Sequence, residues 1–181
     1  MTLPFGIRDT KVTSYTNDAA TTLSATPMDY PNARTLSFSE AEDFEELRGD
    51  DQLIAIRGMG AQVEWEMEHG GVHLAVYKAM AGGALVTSGV TPETVTKYTK
   101  KVTDVRPYFK SEGQAINDDG GDFHTLLYKS RASDSLEGEL ADGSFWLTSA
   151  SGAALPAGIT GLEDVLYEFI VNETAVDIDV S

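Results

Sequence analysis

The chain has no cysteine in its 181 residues. That excludes a disulfide framework and any thiolate-held metal, and it fits folding in a reducing cytoplasm. Histidine is nearly absent too, with three copies. His69 and His73 are four apart, but Gly70-Gly71 lies between them, so one helical face cannot present both to a metal. His124 follows Phe123 and reads as a strand residue. No apolar run approaches the roughly 18 residues of a membrane span. Met1-Thr2-Leu3 leads into Pro4-Phe5-Gly6-Ile7 without a basic-then-apolar leader. G-x-x-x-x-G-K-[ST], G-x-S-x-G and H-E-x-x-H are all missing. No acid–base or nucleophile pair can be assembled, so neither an enzyme nor a cofactor is expected.

Positive charge is the scarcest property. Thirteen Lys and Arg stand against 29 Asp and Glu, for a formal charge of −16. After Arg131 there is no base, while ten acids follow: Asp134, Glu137, Glu139, Asp142, Glu163, Asp164, Glu168, Glu173, Asp177 and Asp179. Between residues 40 and 51, Glu40, Glu42, Asp43, Glu45, Glu46, Asp50 and Asp51 surround a single base, Arg48. Such a surface repels nucleic acid and anionic membranes. It suits a cationic partner, or a wall past which a polyanion must move without sticking. The one basic concentration is Lys97, Lys100, Lys101, Arg106 and Lys110, interleaved with Tyr98, Tyr108 and Phe109. Stacking on nucleic acid is one reading of it. Balancing acids on a neighbouring element or copy is the other.

Hydrophobic residues make up 41% of the chain, enough for one domain with a real core. Seventeen glycines with abundant Thr, Val and Tyr favour strands and tight turns. Residues 62–68 alternate Val63, Trp65 and Met67 with Glu64, Glu66 and Glu68, the period of a strand with one buried and one wet face. Residues 1–33 read as an N-terminal arm or edge element outside the core, containing one strand near 7–15, with a turn at 28–32. Further strands are expected at 34–38, 53–57, 108–113, 123–130, 136–140, 145–149 and 165–171. Gly58-Met59-Gly60 and Ser151-Gly152 read as breaks, and 84–104 as an extended excursion. Asp142-Gly143 is the strongest hairpin signal. Asp118-Asp119-Gly120-Gly121-Asp122 lacks the spacing of a calcium loop and reads as a turn, as does Arg48-Gly49-Asp50. Period 3.6 occurs once, through Val72, Ala75, Val76, Ala79 and Met80, and predicts a helix over about 72–81 closed by Gly82-Gly83. The sum is a mainly β, antiparallel domain over 34–181 with one flanking helix, an acidic loop at 40–51 and an acidic end at 172–181.

The order of segments carries a resemblance. R-T-L-S-F-S-E-A-E-D-F-E-E-L-R-G-D-D (34–51), the acidic strand and G-G-V-H-L-A-V-Y-K-A-M-A-G-G (70–83) come first. T-S-G-V-T-P (87–92), R-P-Y-F-K-S-E-G-Q-A (106–115), D-D-G-G-D-F-H (118–124) and L-E-G-E-L-A-D-G-S-F-W-L-T-S (136–149) follow. Across most of 7–172 this resembles the major tail (tail tube) proteins of long, non-contractile-tailed bacteriophages of the kind infecting actinobacteria. The resemblance implies a β-sandwich or barrel subunit, six to a ring, with rings stacked into a virion tail tube assembled in host cytoplasm. It also implies tape-measure, tail-terminator and distal tail proteins as partners, with genome DNA passing through unbound. On that basis Glu64, Glu66 and Glu68 are expected to line the lumen, with the C-terminal strand through Glu168 as the competing wall. Residues 40–51 and the basic set are expected at contacts between subunits and rings, with 40–51 and the arm 1–33 poorly ordered in the lone chain and ordered in the tube. A β-sandwich binding module, such as a tail-fibre, capsid-decoration or cell-surface domain, is the alternative.

Overall fold

The computed structural model describes residues 3–133, 137–138 and 141–178. Eleven strands and one helix appear among them, in the order β1 (Pro4–Ser14), β2 (Met28–Asp29), β3 (Ala33–Gly49), β4 (Gln52–Gly70), α1 (Leu74–Ala81), β5 (Ala84–Ser88), β6 (Val95–Thr99), β7 (Phe109–Asn117), β8 (Asp122–Ala132), β9 (Glu137–Gly138), β10 (Leu147–Leu155) and β11 (Tyr167–Asn172). The fold is mainly β and antiparallel with one short helix, as the alternation predicts.

Nine strands form one sheet with the path β2-β1-β7-β8-β10-β4-β3; β11 joins β8 and β9 joins β10. The sheet curls into a sandwich without closing into a barrel. Leu36 of β3 lies so close over Gly113 of β7 that a side chain there would collide with it. The core sits between the curled halves. Val63, Trp65 and Met67 of β4 meet Val12, Phe109 and Leu127 from the opposite half, with Val76 and Met80 of α1 closing one side.

The helix begins at Leu74 rather than at 72. His73 is its N-cap, with Nδ1 accepting from the Val76 amide at 3.4 Å. Gly71 just before it has φ 95°, which no helix accommodates. The stop at Gly82 falls where the sequence puts it. The excursion 84–104 is a separate hairpin, β5 paired with β6.

Three expectations are corrected. The N-terminal segment, read as an arm or an edge element outside the core, is an edge element that joins the core: β1 pairs with β7, only the two-residue β2 lies beyond it, and Val12 and Thr10 are fully buried. Polar composition hid this, because its Thr and Lys side chains occupy positions flanking few apolar ones. Next, Gly58-Met59-Gly60 does not end a strand. It forms a bulge where the register steps from Glu42↔Ala61 to Phe44↔Gly58, with Gly60 at φ 105°.

The last of the three concerns Ser151-Gly152, which lies mid-strand in β10. A Cβ on Gly152 would sit 2.0 Å from the Arg131 carbonyl oxygen, a backbone atom that cannot swing away. Gly152→Ala is therefore expected to cost about 1–3 kcal/mol by overpacking. Urea unfolding followed by circular dichroism reads it, and an unchanged midpoint contradicts this close approach of β8 and β10.

A turn forms at Asp142-Gly143, with the Ser144 amide donating to the Ala141 carbonyl, and the short β9 pairs antiparallel with β10, Thr148 opposite Gly138. The expected strand 136–140 lies partly outside the described residues. So does the very end of the acidic stretch 172–181. Residues 175–178 turn back over the outer face of β1, β7 and β8. Ala175 donates to the Gly120 carbonyl, Lys11 Nζ donates to the Ile178 carbonyl at 2.9 Å, and the Ile178 side chain is buried.

Candidate functional site

The face of β4 that alternates with Trp65 is wet, as expected: Glu64 and Glu66 are exposed and Glu68 is half-buried. Its surroundings come from strand register, which no sequence pattern fixes. Opposite Glu64, Glu66 and Glu68 on β3 stand Ser39, Ser37 and Thr35. Opposite them on β10 stand Ala153, Ser151 and Ser149. Three carboxylates thus run down the middle of a three-stranded face, and the side chains directly opposite them are small and mostly hydroxylic. Glu64 and Glu66 border a shallow hollow of about 410 Å³ with Ser37 and Ser151. The row is not wholly without counter-charge, since Arg34 Nη1 lies 3.0 Å from Glu68 at one end. Glu168 is not part of this row. It sits on β11, where Tyr128 Oη donates to it at 2.6 Å.

Residues 40–51 are not a loop. They form the outer half of the β3–β4 hairpin, which projects past the core. Asp50 and Asp51, with φ of 48° and 61°, make its two-residue turn. The charge density misled because repulsion between acids is decided across the strands. Glu40 faces Val63, Glu42 faces Ala61, Glu45 faces Arg57 and Glu46 faces Ile56, so no acid here opposes an acid. Glu40 also accepts from Tyr167 Oη at 2.7 Å, and Arg48 is held by Glu46 at 2.7 Å. The projecting part is exposed on both faces, and its large apolar residues are exposed with it: Phe44, Leu47, Leu53, Ile54, Ile56 and Met59.

The basic set is largely used inside the chain. Lys100 Nζ donates to the Ala81 and Asp104 carbonyls, capping the end of α1. Lys110 pairs with Glu112 at 2.9 Å, and Arg106 Nη1 donates to the Ala132 carbonyl. Lys97 and Lys101 are exposed. The sequence reading missed a different group. Lys129 Nζ lies 5.1 Å and Arg131 Cζ 4.8 Å from the centre of the Tyr108 ring. A bulge puts them there: Phe109 pairs with Ser130 but Ser111 pairs with Leu127, so β8 gains a residue near Tyr128. Before it, Leu126 and Tyr128 face outward; after it, Lys129 and Arg131 do, while Ala132 joins the core. The K-S-R spacing at 129–131 was the available signal, but the bulge was not.

The histidines divide as the spacing argument implies, His69 on β4 and His73 at the helix cap. His124 Nε2 lies 3.0 Å from the buried Asp122 carboxylate, which also accepts from Gln114, Asn172 and the Val176 amide. Among the described residues no group of three metal-ligating side chains is assembled. Residues 117–121 form the expected tight turn, with the Asn117 amide donating to the Gly121 carbonyl. The chain matches none of the models of known protein families, and no curated protein matches it.

Proposed function

We propose that this chain is a structural subunit that assembles into rings, stacked as the tube of a long, non-contractile phage tail, with the β3–β4–β10 face turned to the bore. The observation that carries this reading is the make-up of that face. A polyanion moving along a cationic wall is held at each phosphate by counterion release. Within these three strands the wall offers three carboxylates flanked by Ser, Thr and Ala, with one cation already paired; exposed Leu147 and Leu155 lie at the two ends of its β10 edge, and Arg131 of β8 stands opposite Ala153 at its margin. Six copies at −16 each carry about −96 of formal charge, before counterions. Such a field keeps a duplex centred and mobile. The projecting hairpin supports the same reading, because six large exposed apolar residues on one element require a covering partner.

Electron microscopy of the purified chain tests it directly. Rings or tubes are expected, whereas monodisperse monomers at high concentration favour the binding-module reading. Changing Glu64, Glu66 and Glu68 together to Lys is expected to leave the fold intact, since two of the three are exposed. Tubes should form, and genome delivery should fall at least tenfold. Normal delivery from triple-Lys virions removes this face from the bore.

The hairpin gives a separate prediction. Replacing residues 43–60 by Asn-Gly joins Glu42 to Ala61, which are already cross-strand partners. The shortened subunit should unfold within about 0.5 kcal/mol of the full chain, the scale of surface changes, yet assemble no tubes. Tubes of ordinary appearance from that variant exclude the hairpin from assembly.

A further inference from the structure

Lys129 and Arg131 present an electrostatic problem. The chain has more than twice as many acids as bases, yet neither cation has a carboxylate within ion-pair distance among the described residues. Both lie against one tyrosine ring, so their charges are within about 10 Å of each other, inside one Debye length at ordinary salt. Among the described residues, Arg131 donates from its Nε to the Arg106 carbonyl at 2.9 Å. On the β10 side, the acid in register with Arg131 is Glu64, two strands away with Ala153 between. Arg131 and Tyr108 border a cavity of about 420 Å³ with apolar walls from Tyr15, Val105 and Pro107; Asp18 is the one acid on its described rim. This is a cationic shelf with an apolar floor, on a chain otherwise dominated by acid.

We infer that this shelf receives the acidic β3–β4 hairpin of a second copy. The inference rests on the assembly reading above and names the surface that reading leaves open. The hairpin matches the shelf in both properties: it holds seven acids against two arginines, Arg48 paired with Glu46 and Arg57 opposite Glu45, and it carries exposed Phe44, Leu47, Ile54 and Ile56. Beyond Glu42 its strand extends about 23–27 Å, at roughly 3.3 Å per residue, so it can reach across an interface. Donor and receiver are different surfaces of the same chain. The contact is therefore heterologous and propagates, closing into a ring or continuing from ring to ring. Desolvated between the tyrosine ring and a carboxylate, each cation gains far more than an exposed pair does.

The absence of native cysteine provides the test. Leu47→Cys on the hairpin and Asp18→Cys on the shelf rim leave every base of the shelf in place. Treated with a short bismaleimide, the double variant should give a covalent ladder of trimers and higher species, while each single variant stops at dimers. In parallel, Lys129→Glu with Arg131→Glu should raise the concentration needed for assembly at least tenfold. Adding Glu45→Lys and Glu46→Lys should restore it. Tubes by microscopy with no ladder and no rescue overturn the shelf and leave the tube standing. A ladder without rings or tubes keeps the shelf and overturns the tube. Neither tubes nor a ladder overturns both. Retention of labelled duplex DNA by the unaltered chain, lost on Lys129→Glu with Arg131→Glu, also overturns the inference, by giving the shelf to a polyanion.

Discussion

Trp65→Ala is expected to cost about 3–5 kcal/mol, the range for deleting a large buried aromatic. That is a large share of the roughly 5–15 kcal/mol that holds a domain together. Trp65 is 2% exposed and meets Phe109 edge-on, with ring centres 5.5 Å apart. It joins β4 to β7, so the cavity left by alanine opens between the two curled halves of the sheet. Trp65→Phe separates packing from polarity. The indole Nε1 is buried without a hydrogen-bond partner, and phenylalanine removes that orphan donor while keeping most of the ring. Its cost should stay under about 2 kcal/mol. Urea unfolding followed by circular dichroism measures both. A wild-type midpoint for Trp65→Ala shows that this face of β4 is not core.

Asp122→Ala is expected to be nearly as damaging, at about 3 kcal/mol or more, because it strands a buried polar network. The carboxylate is fully buried and accepts from Gln114 Nε2 at 2.7 Å, Asn172 Nδ2 at 2.8 Å, the Val176 amide at 2.8 Å and His124 Nε2 at 3.0 Å. One of these donors, the Val176 amide, belongs to the chain's returning end, and Gln114 also donates to the Val176 carbonyl, so the variant should also let residues 173–178 lift and be cut early by protease. Cleavage no faster than in the unaltered chain contradicts that tie.

The same group sets acid sensitivity. Burial pushes the Asp122 carboxyl up, but the hydrogen bonds outweigh it and hold it at about 2, against about 3.9 unfolded. Its contribution is fully present above about pH 4 and is lost as pH falls through about 2. His69 acts earlier. Burial lowers it from 6.5 to about 4, with its ring stacked on Tyr30 and neither nitrogen hydrogen-bonded. It folds neutral, so its contribution is complete above about 6.5 and declines as pH falls towards 4. Stability measured against pH should therefore drop in two stages. His69→Phe should abolish the slope between 6.5 and 4 and keep the lower one.

Strand content was legible wherever alternation was clean. Val63, Trp65 and Met67 pointed inward because period 2 permits no other arrangement once one face is apolar. The helix was legible because the period changed once. Glycine was the main source of error, since it reads as a turn whether it bends the chain or makes room. Gly58 and Gly60 belong to a bulge, and Gly152 clears a path for the Arg131 carbonyl. Charge was the other. A run of acids reads as a solvated loop, and only the cross-strand register, Glu46 against Ile56 and Glu42 against Ala61, explains why it is a strand. The Ser and Thr flanking the three glutamates were in view from the start, at positions 35–39 and 149–151. Nothing in the sequence places those segments on either side of β4.

The strand order has a consequence for synthesis. β1 pairs with β7, with Val12 beside Ser111, so β1 waits for about a hundred residues to be made before it finds its partner. β4 likewise waits for β10. Long-range pairing of this kind is slow. Before β7 emerges, the β3–β4 hairpin is the largest element among the described residues able to form from local contacts, and it exposes Phe44, Leu47, Ile54 and Ile56 on chains crowded along a polysome. The interspersed acids then act as gatekeepers. They keep nascent hairpins from stacking on one another until each subunit has completed its sheet.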